Sequence, residues 1–112
     1  MEVVSLADAD SPEVLDGVVL SQLAAGERMS VQHFRIEPGA VVDAHSHEHE
    51  QVGFLTEGAI DFVVDGQEYP VRAGDSYAIP GEAVHSATVP GEAAAVGVEL
   101  FSPPRPDPPW AD

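Results

Sequence analysis

Two stretches of sequence decide the fold of this chain: GAVVDAHSHEHEQVGFLTEG, from Gly39 to Gly58, and GDSYAIPGEAVH, from Gly74 to His85. The first contains two histidines two positions apart and a glutamine four residues after the second of them. The other stretch ends on a lone histidine that follows a Gly…Pro turn. Imidazole nitrogens and amide or carboxylate oxygens are ligands that divalent transition metals accept. The two stretches therefore predict one metal site built from separate parts of the chain.

The segments around these stretches have the pattern of short strands. Short apolar runs are separated by turn-forming dipeptides such as Asp65-Gly66, the strongest hairpin signal in the chain. Strands that recur at intervals of about 8–12 residues are typical of an all-β barrel or sandwich. We predict strands over residues 14–24, 29–36, 52–56, 59–64, 67–71, 75–79, 84–89 and 94–101.

The length of 112 residues suits one domain with one hydrophobic core. We assign residues 1–102 to a single all-β domain. The last ten residues, PPRPDPPWAD, contain five prolines and cannot form a central strand. Residues 103–112 are therefore predicted to form an extended tail, in which Trp110 either packs on a neighbour or is loose. Small size and exposed strand edges favour a homodimer.

The charge balance is strongly acidic. Four arginines, no lysine and twenty Asp and Glu residues give a formal net charge of −16. Nucleic acids and anionic membranes require clustered basic residues, so we expect neither as a partner. The composition fits an ordinary acidic domain, but the complete absence of lysine favours adaptation to high salt, where counterions screen self-repulsion.

The sequence carries no sign of a membrane or secretory segment. No apolar run approaches the roughly 18 residues that indicate a membrane-spanning helix. The N-terminal residues MEVVSLADAD lack the basic region of a secretory signal. We therefore expect a cytoplasmic protein, and the absence of cysteine excludes disulfides.

Strand geometry explains how the paired histidines would bind one ion. On a strand, residues two apart face the same side with Cα atoms about 6.6–6.8 Å apart, so His45 and His47 can both reach one metal. His49 has the same parity, but an extended chain would carry it too far from His45. The chain must therefore turn before later ligands such as Gln51 and the distant His85 can complete the site. Taken alone, HSHEHE would also fit an adventitious metal-binding tract.

Both stretches resemble the paired motifs of the cupins, G-x5-H-x-H-x3,4-E-x6-G and G-x5-P-x-G-x2-H-x3-N. The resemblance implies a small, often dimeric β-barrel of the jelly-roll type, with one divalent metal ion (iron, manganese, nickel, zinc or cobalt) inside its mouth. By position, it assigns the three histidine ligands to His45, His47 and His85. The fourth ligand, usually a glutamate, falls on Gln51.

This chain departs from the cupin motifs at three positions. Glu82 stands at the glycine of the second motif and Val89 at its final asparagine, neither of which supplies a metal donor in the family. The third departure, Gln51, leaves the bound ion at a formal charge of +2, which makes it a better Lewis acid for an anionic, oxygen-rich substrate. A carboxylate-containing ligand set is the commoner setting for Fe(II) and O₂.

The end of the last predicted strand adds candidate catalytic residues. Glu99 and Phe101 share a face by the two-residue period, and Arg105 follows two prolines that fix its direction. A guanidinium near a metal suits bidentate recognition of a carboxylate, although Glu99 and Arg105 could equally be solvated surface charges. The spacing Glu99-x-Phe101-x3-Arg105 resembles the Asp-x-Phe-x3-Arg arrangement of the small cupins of pectin and alginate breakdown. Those enzymes convert 4,5-unsaturated monouronates to linear keto forms.

The leading hypothesis is therefore metal-assisted tautomerisation and ring opening of an unsaturated uronate or a similar carboxylate-bearing small sugar. Arg105 would bind the substrate carboxylate, Phe101 would pack against the sugar ring and Glu99 would move the proton. Two alternatives stay open: an Fe(II) dioxygenase acting on a small organic substrate, and a non-catalytic barrel that binds a sugar or metabolite. His33, Arg35 and Tyr77 are weaker candidates for lining the pocket.

Overall fold

Ten strands and one short 3-10 helix, Leu6–Asp8, build the chain in a computed structural model that describes residues 1–105. The strands are β1 Glu13–Leu15, β2 Val18–Ala25, β3 Ser30–Ile36, β4 Val41–His45, β5 Glu50–Glu57, β6 Ala59–Val64, β7 Gln67–Arg72, β8 Ser76–Ile79, β9 His85–Thr88 and β10 Ala95–Ser102. Among residues 1–105, no helix is long and apolar enough to cross a membrane.

The strands form two antiparallel sheets. The larger has six strands in the order β1-β2-β3-β10-β5-β8, and the smaller has four in the order β4-β9-β6-β7. The predicted all-β architecture is confirmed. The two sheets do not close into a continuous barrel within the described residues, and this two-sheet arrangement is that of a jelly roll.

The hydrophobic core draws on side chains of both sheets. Phe34 and Leu55 come from the six-stranded sheet and Ile60 from the four-stranded one, and each is at most 2% exposed. Burying a side chain of this size contributes roughly 1.5–3 kcal/mol. In β3, Ser30, Gln32, Phe34 and Ile36 are buried and alternate with more exposed neighbours, which is the two-residue period of a strand with one buried face.

One strand prediction was wrong in its bounds, and one strand was missed. The segment expected as one strand over 14–24 is divided into β1 and β2, because Gly17 turns the chain with a φ of 78° in the left-handed region. β4, which ends at His45, lies in a segment for which no strand was predicted.

Of the predicted tail, the structure describes residues 103–105. Arg105 is 3% exposed, so the first residues after 102 pack against the β-domain. The expectations for Trp110 and for an extended tail fall on residues 106–112, which lie outside the described part of the chain.

Candidate active site

Three histidines from the two decisive stretches lie close together. His45 is the last residue of β4 and pairs in register with His85, the first residue of β9. His47 lies beyond β4, so the expectation that the paired histidines share a strand was wrong. One nitrogen from each of the three rings nevertheless lies within 4.8 Å of the others.

Backbone hydrogen bonds orient two of these rings. His45 Nδ1 donates to the carbonyl oxygen of Asp43 at 2.9 Å, and His85 Nδ1 donates to that of Ala83 at 2.9 Å. A carbonyl oxygen only accepts, so the proton of each neutral ring is on Nδ1 and the lone pair is on Nε2. Histidines that ligate a metal through one ring nitrogen typically donate the N–H of the other nitrogen in a hydrogen bond of this kind.

The loop carrying His47 is held by the turn that precedes β9. Glu82 donates its backbone N–H to the carbonyl oxygen of His47 at 2.7 Å. A Cβ on Gly81 would lie 2.6 Å from the carbonyl oxygen of Glu48, so the close approach of the two segments requires a glycine there. Glu82 itself adopts a φ of 69°, the left-handed conformation that the glycine of the cupin motif would accept without strain.

The surroundings of the three histidines lower their pKa and so favour the neutral form of each ring. The pKa of His47 is lowered to about 4, chiefly by burial and also by the charges of Arg105 and the other histidines. Burial is also the main cause that lowers the pKa of His45 and of His85. Neutral imidazole is the form that binds a metal, so this environment favours ligation at neutral pH.

Gln51 lies in the wall of the same cavity as His45 and His85. It is 4% exposed, and its Nε2 donates to Glu99 Oε2 at 2.7 Å. Its Oε1 is buried and has no hydrogen-bond partner among residues 1–105, and the same is true of both ring nitrogens of His47. Buried polar atoms without partners are rare and indicate a missing ligand or water. Three imidazoles and an amide oxygen fit one divalent transition metal ion.

Glu99 lies beside this donor set on β10. Its Oε2 accepts two hydrogen bonds, from Gln51 Nε2 and from Tyr77 Oη, each 2.7 Å long. Burial raises the pKa of the Glu99 carboxyl, while the two donors and the charge of Arg105 act in the opposite direction. Burial, followed by the neighbouring Glu99, raises the pKa of Tyr77 well above its ordinary value.

Arg105 is a buried cation at the same site. Its backbone N–H donates to Ser30 Oγ at 2.8 Å, and its guanidinium carbon lies 4.8 Å from the centre of the Phe101 ring. Burial lowers its pKa to about 10, so the guanidinium is still charged at neutral pH. Phe101 is 1% exposed and also contacts the rings of His47 and His49, with centroid distances of 6.0 and 6.2 Å.

A cavity between the sheets connects these groups. Glu99, Arg105, Gln51 and Tyr77 line it together with His45 and His85, whereas Phe101 is not among its lining residues. Apart from Gln32 and Ser86, the remainder of the wall is apolar. Phe101 therefore supports the histidines and the guanidinium from outside the cavity.

Of the three weaker pocket candidates, only Tyr77 lines the cavity. His33 and Arg35 lie outside its lining, and exposed Arg35 pairs with Glu37 at 2.9 Å. Their neighbour Gln32, which sequence reasoning missed as a site residue, is 2% exposed and does line the cavity. The signal was present in the alternation of β3, where Gln32 shares its face with Phe34.

The chain matches a known protein family and a curated relative. Residues 32–101 match the family described as the cupin domain, which is more than half of the chain. The pectin degradation protein KdgF of Dickeya dadantii (strain 3937) is 25% identical over 103 residues, which cover 89% of this chain and 93% of the relative.

Solved structures agree with this match. The structure of KdgF from Halomonas sp. is 27% identical, with a TM-score of 0.85 over 96% of this chain and 97% of its own. An RmlC-like cupin from Shewanella frigidimarina NCIMB 400 is 25% identical, with a TM-score of 0.86 over 96% of this chain and 95% of its own.

Proposed function

The chain belongs to the cupin domain family, and from that premise we propose that it is a metal-dependent enzyme that opens the ring of a 4,5-unsaturated uronate or a similar small sugar acid. The observation that carries the proposal is the position of Glu99, a carboxyl held in the wall of the same cavity as a buried cation and two members, His45 and His85, of the three-histidine group. Similarity to KdgF proteins, one of which is described as a pectin degradation protein, supports the choice of substrate class.

The proposed reaction is an isomerisation that needs one proton moved within the substrate. The anomeric hydroxyl loses its proton, the bond between C1 and the ring oxygen breaks to give an aldehyde, and the enol at C5 becomes a ketone as C4 takes up a proton. A group that first accepts and then donates a proton is therefore sufficient, and no oxidant or second substrate is required.

Glu99 suits the role of proton carrier. Both described hydrogen bonds end on Oε2, so Oε1 takes part in neither of them. A raised pKa brings the carboxyl closer to neutral pH, where it can both accept and release a proton. Glu99 would take the proton from the anomeric hydroxyl and deliver it to C4.

Arg105 suits recognition of the substrate carboxylate. Its guanidinium is charged, buried and in the cavity wall, and such a group binds a carboxylate through two parallel hydrogen bonds. Phe101 would keep this guanidinium in place through its ring face. A divalent metal held by His45, His47, His85 and Gln51 would supply Lewis acidity toward substrate oxygens.

The test is turnover of 4,5-unsaturated galacturonate by metal-loaded protein, followed as loss of its conjugated ultraviolet absorbance. We expect acceleration over buffer and a decrease of kcat by about 10²-fold or more in Glu99→Gln, since positioned acid–base groups contribute about 10²–10⁴-fold. Absence of acceleration with metal bound would reject the proposal. An oxygen electrode run on the same mixture tests the dioxygenase alternative, because the isomerisation consumes no O₂.

We also propose that the protein is a homodimer. Val52 and Phe54, on the face of β5 that points away from the core, are 42% and 44% exposed. Together with Ala78 and Leu100 they line an apolar depression on the six-stranded sheet. An uncharged surface on a chain of net charge −16 is where two copies can meet with the least repulsion.

A further inference from the structure

Four residues form one continuous row across the six-stranded sheet. Gln32 on β3 pairs with Glu99 on β10, Glu99 pairs with Gly53 on β5, and Gly53 pairs with Tyr77 on β8. Gln32, Glu99 and Tyr77 all line the cavity. Glycine is the one member of the row without a side chain, and it stands between the proposed proton carrier and the phenol.

The space above Gly53 is occupied by the ring of Tyr77. A Cβ on Gly53 would lie 2.3 Å from Tyr77 Cζ and 2.4 Å from Tyr77 Oη, distances that real Cβ atoms do not adopt. Neighbouring strands lie about 4.8 Å apart, so Tyr77 and Glu99 start roughly two strand spacings from each other. The side chain of Tyr77 spans that distance because Gly53 has no side chain in its way. Its Oη lies 2.7 Å from Glu99 Oε2.

The far side of the phenol is also fixed. The ring of Tyr77 packs against Phe62 of the four-stranded sheet, with ring centroids 4.8 Å apart. The hydroxyl of Tyr77 is therefore presented to Glu99 by a ring enclosed between β5 and the opposite sheet. Such an enclosed donor loses little side-chain entropy when it makes its hydrogen bond.

We propose that Gly53 and Tyr77 are positioning residues for Glu99. A glutamate side chain has one more torsion than an aspartate, so its carboxyl requires a further anchor if one oxygen is to stay directed at the substrate. Tyr77 supplies that anchor on Oε2, and Gly53 admits it. The inference rests on the proposed function, in which Glu99 carries the proton.

The kinetic test uses Tyr77→Phe, which keeps the ring and removes the hydroxyl. A hydrogen bond to a charged group contributes about 1.5–3 kcal/mol, so we expect kcat to fall roughly ten- to hundredfold with KM within about twofold of wild type. Tyr69→Phe is the matched control, because Tyr69 is 45% exposed, and it should retain wild-type kcat. Wild-type kcat in Tyr77→Phe would overturn the proposal.

The role of Gly53 is tested by Gly53→Ala, whose methyl group would displace the phenol. Its kcat should fall as in Tyr77→Phe, whereas Gly26→Ala should behave as wild type, since a Cβ there meets only the carbonyl oxygen of Met29 at 3.8 Å. Combining Gly53→Ala with Tyr77→Phe should lower kcat no further than Tyr77→Phe alone. A clearly additive loss would contradict an action of Gly53 through Tyr77.

Crystal structures of the wild type and Tyr77→Phe give a readout that does not depend on turnover. We expect one conformer of Glu99 in the wild type, with its Oε2 against Tyr77 Oη, and a displaced or divided Glu99 side chain in the variant. An unchanged Glu99 in Tyr77→Phe overturns the positioning role. If the wild type fails to convert the uronate but the Glu99 side chain moves as expected, the proposed reaction fails and the positioning of the carboxyl stands.

Discussion

Replacing Gln51 by glutamate, the residue of the cupin motif, should destabilise this protein. The change turns a hydrogen-bond donor 2.7 Å from Glu99 Oε2 into a second carboxylate. Two unit charges at that separation repel by about 6 kcal/mol at an effective dielectric constant of roughly 20. Taking up a proton on a carboxyl of ordinary pKa near 4.3 costs only about 3.7 kcal/mol at pH 7. The pair would therefore share a proton.

The cost and its pH dependence follow from that shared proton. Gln51→Glu should lose up to about 4 kcal/mol of unfolding free energy at pH 7 and roughly 1 kcal/mol at pH 5. The sign is that of a carboxyl whose pKa is higher in the folded state: the folded protein holds a proton that the unfolded chain releases, so stability falls as pH rises. A domain of ordinary stability, about 5–15 kcal/mol, would still fold.

Urea unfolding of chelator-treated protein at pH 7 and pH 5 measures the effect. Gln67→Glu is the matched control, since it adds the same charge at an exposed position of β7. The exchanged double variant Gln51→Glu/Glu99→Gln restores one donor and one acceptor and should regain most of the stability without activity. Equal unfolding midpoints for Gln51→Glu and wild type at pH 7 would refute the reasoning.

Four further predictions follow from the metal site, the charge and the sheet surface. His85→Ala should lose the metal found in the wild type by elemental analysis, while His33→Ala should keep it. Metal-free protein should lose stability as pH falls from 6.5 toward 4. Over this range the unfolded chain takes up a proton at His47, whereas His47 in the folded protein, with a pKa of about 4, stays neutral. A flat melting temperature over this range would contradict the prediction. Molar KCl should raise the melting temperature if the acidic composition is an adaptation to salt, and no change would reject that hypothesis. Phe54→Asp should convert the expected dimer to a monomer in light scattering, and a wild-type monomer would end the dimer proposal.

The histidine convergence was predicted because the spacing of the two stretches resembles the paired motifs of the cupins. Two glycine-bounded stretches fixed where His45, His47 and His85 would lie relative to the turns, and the structure brings one nitrogen from each within 4.8 Å. The local conformation was less predictable. His47 leaves the strand because Gly81 and Glu82 contact its loop, and such a contact between distant segments has no periodic signal in either of them.

The hydrogen bonds of Glu99 could not be predicted from sequence patterns for a related reason. They depend on which strands are neighbours, and the order β10-β5-β8 joins residues 22 and 48 positions apart in the chain. A two-residue period says which face a side chain occupies, but it does not say which partner lies across from it. The one available signal was Gly53, because a glycine within a strand often marks the close approach of another group.

The arrangement around Glu99 also gives a physical reason for the departure of this chain from the cupin motif. An amide at position 51 can offer its oxygen to a metal and its nitrogen to Glu99 at the same time, whereas a carboxylate offers oxygens to both and repels the second partner. Tyr77 donates to the same Oε2 from the other side of Gly53. Gln51, Glu99 and Tyr77 therefore form one hydrogen-bonded group. The residue at position 51 has to suit the carboxyl that it orients as well as the ion that it would bind.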